Sequence, residues 1–196
     1  MKNKFLRSVR GIGYIGEGKY LVSIDRKHTK IYLTWRGILE RCYSERYHLK
    51  KPTYKGCSVH PDWHNFQIFA AWFERNYVEG FVLDKDILFK GNKEYNSDTC
   101  CFVPPEVNIL FTKSNKTRGE YPIGVSFVKS NKKFVSQLSV ENKQTNLGYF
   151  ATPEEAFSAY KVAKESYIKE IALKYKEQIT EACYQALIKY KVEITD

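Results

Sequence analysis

Positions 147–160 read Leu147-Gly148-Tyr149-Phe150-Ala151-Thr152-Pro153-Glu154-Glu155-Ala156-Phe157-Ser158-Ala159-Tyr160. Thr152 can cap the start of a helix, Pro153 suits its first position, and Glu155 completes a capping box. Apolar residues then repeat at helical spacing, at Ala156, Phe157, Tyr160 and Ala163. The segment therefore predicts a strand that ends near residue 150 and an amphipathic helix that begins just after Thr152.

Three strands are predicted around the start of this segment, at 123–129, 133–141 and 145–150, with polar turns between them. Three antiparallel strands followed by one helix form a two-layer unit, with one sheet face on the helix and the other open. Helical character continues to about residue 191, with a break predicted near 178–180. Because side chains alternate along a strand, Phe134, Ser136, Leu138 and Val140 should share one face, and Val135, Gln137 and Ser139 the other.

The charge of the chain indicates a polyanionic partner. The formal net charge is +10, and the isoelectric point is near 9.2. Between positions 113 and 143, seven basic residues face only Glu120 and Glu141, which concentrates a net +5 in the linker and the strands that follow. Such a stripe of charge neutralises phosphates and releases counterions, which favours nucleic acid.

The composition also indicates in which cellular compartment the protein is expected. No run of about 18 apolar residues occurs, and the basic N-terminus lacks an apolar stretch, so we expect no membrane span and no secretory signal. The chain has five cysteines, an odd number that is typical of reduced thiols in a cytosol. These features predict a cytoplasmic protein without a small-molecule cofactor.

The second half carries a family resemblance. Gly124-Val125, the run 134–138 and the run 147–160 with its pattern Leu-Gly-x-Phe-x-Thr-x-Glu-Glu-Ala closely resemble the APETALA/ethylene-response-factor type of DNA-binding domain. The resemblance implies a sheet that reads the major groove of double-stranded DNA, with contacts from its first two strands. By position, the implied contact residues are Arg118, Ser126, Lys129, Lys132, Lys133 and Gln137.

In the first half, Trp35, Ile38, Leu39 and Cys42 predict one helix face, and Asp62 can cap a second helix. Residues 81–89 are strand-like, residues 100–103 form a second short strand, and Pro104-Pro105 can open a helix. The ordered landmarks resemble HNH-type proteins of phages, many of which look like homing endonucleases. These landmarks are Trp35, Arg41-Cys42-Tyr43, Tyr54-Lys55-Gly56-Cys57, Trp63, Phe66, Phe69, Leu83-Asp84-Lys85-Asp86, Gly91-Asn92, Tyr95, Cys100, Val103 and Asn108.

That resemblance implies a ββα-metal unit that uses Mg²⁺ or Mn²⁺ to cleave DNA. By position, Asp84 and Asn108 would hold the metal, with Asp86 as a possible second acidic ligand. Lys85 stands where the histidine base is expected, and a lysine of ordinary pKa is charged at neutral pH and accepts no proton. His60, or His64 beside it, could replace that base.

A structural zinc ion is a separate alternative. Cys42, Cys57, His60 and Cys100 could form such a site, but no paired-cysteine knuckle occurs, and buried free thiols are the commoner arrangement. We therefore expect no structural zinc.

The sequence as a whole predicts an α+β protein. Its expected parts are an HNH-like ββα-metal domain with added helices at 1–112, a linker at 113–120, and a sheet-plus-helix DNA-binding domain with a helical tail at 121–196. The functional hypothesis is a DNA-binding protein of phage origin, acting in the bacterial cytoplasm, that nicks or cleaves DNA. The alternatives are a non-catalytic DNA-binding or regulatory protein that has lost its base, and an RNA-binding protein.

Overall fold

The computed structural model describes residues 9–111, 120–140 and 143–196. The chain mixes helices with short strands, and it divides into two compact units, Met1–Pro105 and Glu106–Asp196. The α+β class expected from the sequence is confirmed. Most of the expected linker, 113–120, lies outside the described residues, and Arg118 lies there as well.

The first unit is built on helices with short strands between them. Its elements are β1 (Ser23–Ile24), β2 (Lys27–His28), α1 (Lys30–Tyr43), α2 (Glu45–Lys50), β3 (Ser58–Val59), α3 (Phe66–Asn76), β4 (Val82–Asp84), β5 (Glu94–Tyr95) and β6 (Cys101–Val103). Helix α1 buries the predicted face, Trp35, Ile38, Leu39 and Cys42. The aromatic rings of α1 and α3 meet in the core, where the centroids of Trp35 and Phe66 lie 5.4 Å apart.

The start of α3 differs from the prediction. Pro61–His64 forms a separate 3-10 turn, and the helix is capped by Asn65, whose side chain accepts a hydrogen bond from the N–H of Gln67 at 2.9 Å. The expectation that Asp62 caps this helix was therefore wrong. The reason is local, because Pro61 starts its own tight turn and a second capping residue stands directly before the apolar run.

The predicted strand at 81–89 is shorter than expected, because only Val82–Asp84 is extended. The Oδ1 atom of Asp84 accepts hydrogen bonds from the N–H groups of Asp86 and Ile87, at 2.7 and 2.8 Å, and these bonds turn the chain. Strand β4 pairs antiparallel with β6, and α4 (Pro105–Ile109) follows at the boundary between the two units.

The second unit contains the three-stranded sheet. Its strands are β7 (Val125–Val128), β8 (Lys133–Val140) and β9 (Lys143–Phe150), antiparallel in the order β7-β8-β9. Helix α5 (Pro153–Lys174) packs on one face of the sheet and begins at the predicted capping box. Thr152 accepts from the N–H of Glu155 at 3.2 Å, and the Glu155 carboxylate accepts from the N–H of Thr152 at 3.3 Å.

The core between sheet and helix is small and depends on close approach. Leu138, Phe157, Tyr160 and Val192 form its buried centre. Gly124 has a φ of +77°, and a side chain there would collide with the ring of Tyr160, so both conformation and space require glycine.

The helical tail also differs slightly from the prediction. Helix α5 ends at Lys174 and α6 (Glu181–Ile188) follows, so the predicted break begins earlier than residue 178. None of the helices in the described ranges combines the length and apolar character that crossing a membrane requires.

Candidate nucleic-acid interface

Helix α5 packs on one face of the sheet in the second unit, and among the described residues of that unit no helix packs on the other. The register of the strands places nine side chains on it, opposite the face on which Leu138 and Val140 meet α5. We call this set the open face: Ser126, Val128, Lys133, Val135, Gln137, Ser139, Gln144, Asn146 and Tyr149. Most of these side chains are exposed, and Tyr149 has a relative exposure of 49%.

The structure brings most of the implied contact residues together. Ser126, Lys133 and Gln137 share the open face, with Ser126 directly opposite Val135 in the ladder. Lys129 and Lys132 stand exposed in the turn that joins β7 to β8, at the end of the same sheet. Arg118 belongs to the residues that are not described.

The charge of this region is predominantly positive. Between positions 125 and 150 the sequence has four lysines, Lys129, Lys132, Lys133 and Lys143, and one acidic residue, Glu141. A patch with such an excess of cations attracts phosphate oxygens over a range of about 10 Å at ordinary ionic strength.

The third strand adds polar groups that the sequence-based prediction missed. Gln144 on β9 donates a hydrogen bond from its side-chain amide to the Oε1 atom of Gln137 on β8, at 3.1 Å. The Oδ1 atom of Asn146 accepts from the N–H of Gly148 at 2.9 Å, beside a bulge that shifts the register between Ser136 and Gln137. Because the register shift interrupts the alternation of β9, alternation alone did not indicate Gln144 and Asn146, and the family resemblance pointed only to the first two strands.

The region of the nuclease-like motif is arranged differently. Lys85 is buried, with 6% of its surface exposed. Its Nζ donates to both carboxylate oxygens of Asp86, at 2.7 and 2.8 Å, and to the backbone oxygen of Asn92 at 2.7 Å. Three hydrogen bonds use all three protons of an ammonium group. Lys85 is therefore held as a cation, and a protonated amine cannot act as a general base.

Asn92 closes this cluster from the other side. Its side-chain amide donates to the backbone oxygens of Lys85 and Glu94, at 2.8 and 2.6 Å. Its Oδ1 atom accepts from the N–H of Glu94 at 3.1 Å. Lys85, Asp86 and Asn92 thus form a connected network, which we call the closed cluster, and its bonds fasten the loop between β4 and β5.

Asp84 was expected to be a metal ligand. Its Oδ1 atom is occupied by the two turn hydrogen bonds, and burial raises the pKa of its carboxyl group, against those bonds. Asn108 lies in α4 and belongs to the second unit, and both oxygens of Asp86 face Lys85. Within the described ranges, no three His, Cys, Asp or Glu side chains are grouped as metal ligands.

No family model, curated protein or solved structure matches this chain. The candidate sites are therefore interpreted from their own geometry.

The histidines and cysteines of the first unit have structural contacts. His60 is half-exposed, and its Nδ1 atom accepts from the N–H of Asp62 at 3.3 Å. The Nε2 atom of His64 lies 2.9 Å from the backbone oxygen of Val59. Burial raises the pKa of the Cys42 and Cys100 thiols to about 12.

Proposed function

We propose that this protein binds double-stranded DNA through the open face and the lysines of the adjoining turn. The observation that carries the proposal is the convergence of Ser126, Lys133 and Gln137 on one uncovered sheet face beside Lys129 and Lys132. Such a surface offers cations for phosphates and hydrogen-bonding groups for base edges, and the two together distinguish a DNA-reading surface from a merely basic one.

The dimensions of the sheet suit a duplex. Adjacent strands lie about 4.8 Å apart, so three strands measure roughly 10 Å across, and the major groove is about 12 Å wide. The β7–β8 turn stands at one end of the sheet, where its lysines can reach the phosphate backbone while the open face points into the groove. A helix supports the sheet from behind and keeps it from bending away.

The test measures how duplex affinity depends on salt. We expect the double variant Lys132→Gln, Lys133→Gln to bind all duplex sequences more weakly. The negative slope of log affinity against log salt should become shallower by about 1.8, because each lost phosphate contact removes about 0.9. The matched control is Lys169→Gln with Lys189→Gln, which removes the same charge from exposed positions outside the sheet. An unchanged slope in the open-face variant would exclude the hairpin from the interface.

Single-stranded or duplex RNA is the competing polyanion. Competition of labelled duplex DNA by unlabelled RNA of the same sequence discriminates between them, and RNA that displaces DNA at equal concentration contradicts the proposal. A salt dependence of affinity does not by itself separate the two, since both are polyphosphates.

Cleavage of the bound DNA is the second candidate function. It is favoured by one observation, the strand–strand–helix order of β4, β6 and α4 with Asp84 at the end of β4. The closed cluster opposes it, because Lys85 is fixed as a cation at the position of the base. Supercoiled plasmid is incubated with Mg²⁺ or Mn²⁺, with Asp84→Ala as control. Nicking that disappears in the control supports cleavage, whereas binding without nicking supports a non-catalytic DNA-binding protein.

A further inference from the structure

Two glutamine side chains form a hydrogen-bonded pair on the open face. Gln137 lies on the central strand and Gln144 on the outer strand, and the amide of Gln144 donates to Gln137 at 3.1 Å. Gln144 is exposed, Gln137 is half-exposed, and the hydrogen bond between them lies at the surface of the protein. A pair that holds itself in place loses less side-chain freedom when it binds.

The chemistry of these groups matches one base. A glutamine amide offers an N–H donor beside a carbonyl acceptor, which is the complement of N7 and the N6 amino group of adenine in the major groove. Guanine presents two acceptors there, N7 and O6, and is read by arginine or lysine. The open face carries three side-chain amides, Gln137, Gln144 and Asn146, and a single cation, Lys133, at its turn end.

We infer that the Gln137–Gln144 pair makes this surface selective for adenine, read from the major groove of the duplex. The inference rests on the proposed DNA binding and gives two parts of this surface different roles. The lysines of the turn hold phosphates without regard to sequence, and the amide pair distinguishes A·T from G·C base pairs. It also gives a reading role to the third strand.

The bulge in β9 supports this arrangement. The register shift between Ser136 and Gln137 places Asn146 opposite Gln137, and the bond from Asn146 Oδ1 to the N–H of Gly148 fixes the shifted strand. Bulges re-aim side chains next to functional sites. Here the shift brings Gln144, two residues before Asn146, within hydrogen-bonding distance of Gln137.

The experiment selects duplexes from a pool of short random sequences with the full-length protein and sequences the bound fraction. We expect enrichment of adenine at a defined position in the wild type and its loss in Gln137→Ala and Gln144→Ala. In a duplex of the enriched sequence, replacing that adenine by 7-deazaadenine removes N7 and keeps the base pair. This change should weaken wild-type binding roughly tenfold and leave both variants unaffected. Gln178→Ala is the control, because it removes an exposed amide outside the sheet.

The possible outcomes separate this inference from the proposal on which it rests. Wild-type protein that binds duplexes with a normal salt slope but without adenine enrichment overturns the role of the glutamine pair and leaves DNA binding intact. Enrichment that survives in both variants, or that ignores 7-deazaadenine, also overturns it. Absence of duplex affinity at low salt overturns the proposed function itself. Circular dichroism of the variants verifies that they are folded.

Discussion

The closed cluster and the open face use the same kinds of side chain for opposite purposes. In the closed cluster, Lys85 is 6% exposed and all its protons are bound by Asp86 and Asn92. At the edge of the open face, Lys129, Lys132 and Lys133 are exposed in a stretch without acidic residues. A buried cation that is fully paired stabilises a loop, whereas exposed cations without acidic neighbours are available to a partner. The surroundings, more than the residue type, thus separate structural from binding lysines.

The largest expected effect concerns the closed cluster. Lys85→Ala leaves the carboxylate of Asp86 and the backbone oxygen of Asn92 without their cation, and we expect the free energy of unfolding of the first unit to fall by about 3 kcal/mol. All three tryptophans, Trp35, Trp63 and Trp72, lie in that unit, so their fluorescence during urea unfolding reports on it selectively.

The control for this variant is Lys50→Ala, which removes an exposed lysine of the same unit and should change stability by less than about 0.5 kcal/mol. Duplex affinity of folded Lys85→Ala should match that of the wild type. A large loss of affinity together with unchanged stability would show that Lys85 contributes to binding and not to the stability of the first unit.

A smaller effect of opposite sign is expected at Ser136. Its hydroxyl is buried on the helix side of the sheet, and among the described residues it has no hydrogen-bonding partner. Burying an unpaired hydroxyl is unfavourable, so Ser136→Ala should stabilise the second unit by about 1 kcal/mol. Thermal unfolding followed by circular dichroism measures this change. A loss of stability would mean that the Ser136 hydroxyl has a hydrogen-bonding partner, as the buried polar groups of the closed cluster do.

The smallest expected effect concerns Glu106, whose carboxylate lies outside both the closed cluster and the open face. Hydrogen bonds from Lys174 and Tyr175, at 2.7 and 2.5 Å, lower the pKa of Glu106 below its ordinary value of 4.5. A lowered pKa in the folded state stabilises the protein above the ordinary value, and this contribution is lost as the pH falls through the folded pKa. Glu106→Gln should cost about 0.5 kcal/mol at neutral pH.

The measurement for Glu106 is the pH dependence of unfolding of the second unit. The variant and the wild type should differ at neutral pH and converge under acidic conditions, where the wild-type carboxyl group is protonated as well. Curves that run parallel through the acidic range would show that the carboxylate charge contributes nothing, and that the hydrogen bonds alone matter.

The sequence predicted those parts of the fold that depend on neighbours along the chain. The capping box at Thr152 and the buried face of α1 are set by residues within one or two helical turns, and both are confirmed. The start of α3 was mispredicted because Asp62 and Asn65 are both good caps, and only the 3-10 turn at Pro61 decides between them. Local rules cannot rank two adequate caps three residues apart.

The candidate site was predictable only in part, for a related reason. Alternation along β8 is enough to place Lys133 and Gln137 on the same face. The contact between Gln137 and Gln144 depends on a bulge in β9, and the burial of Lys85 depends on Asn92, seven residues further along the chain. Both contacts join residues seven positions apart across a hairpin or loop, and no short sequence pattern fixes the shape of that turn.

The bulge in β9 has one more consequence. β9 is an outer strand of eight residues, and the backbone groups on its free side could pair with another molecule. At Gly148 the N–H is already bound by the side chain of Asn146, and the irregular register interrupts the straight row of donors and acceptors. The irregular register and the engaged N–H make this edge strand less regular as a template for intermolecular β-pairing, which is one way in which natural proteins limit edge-to-edge association.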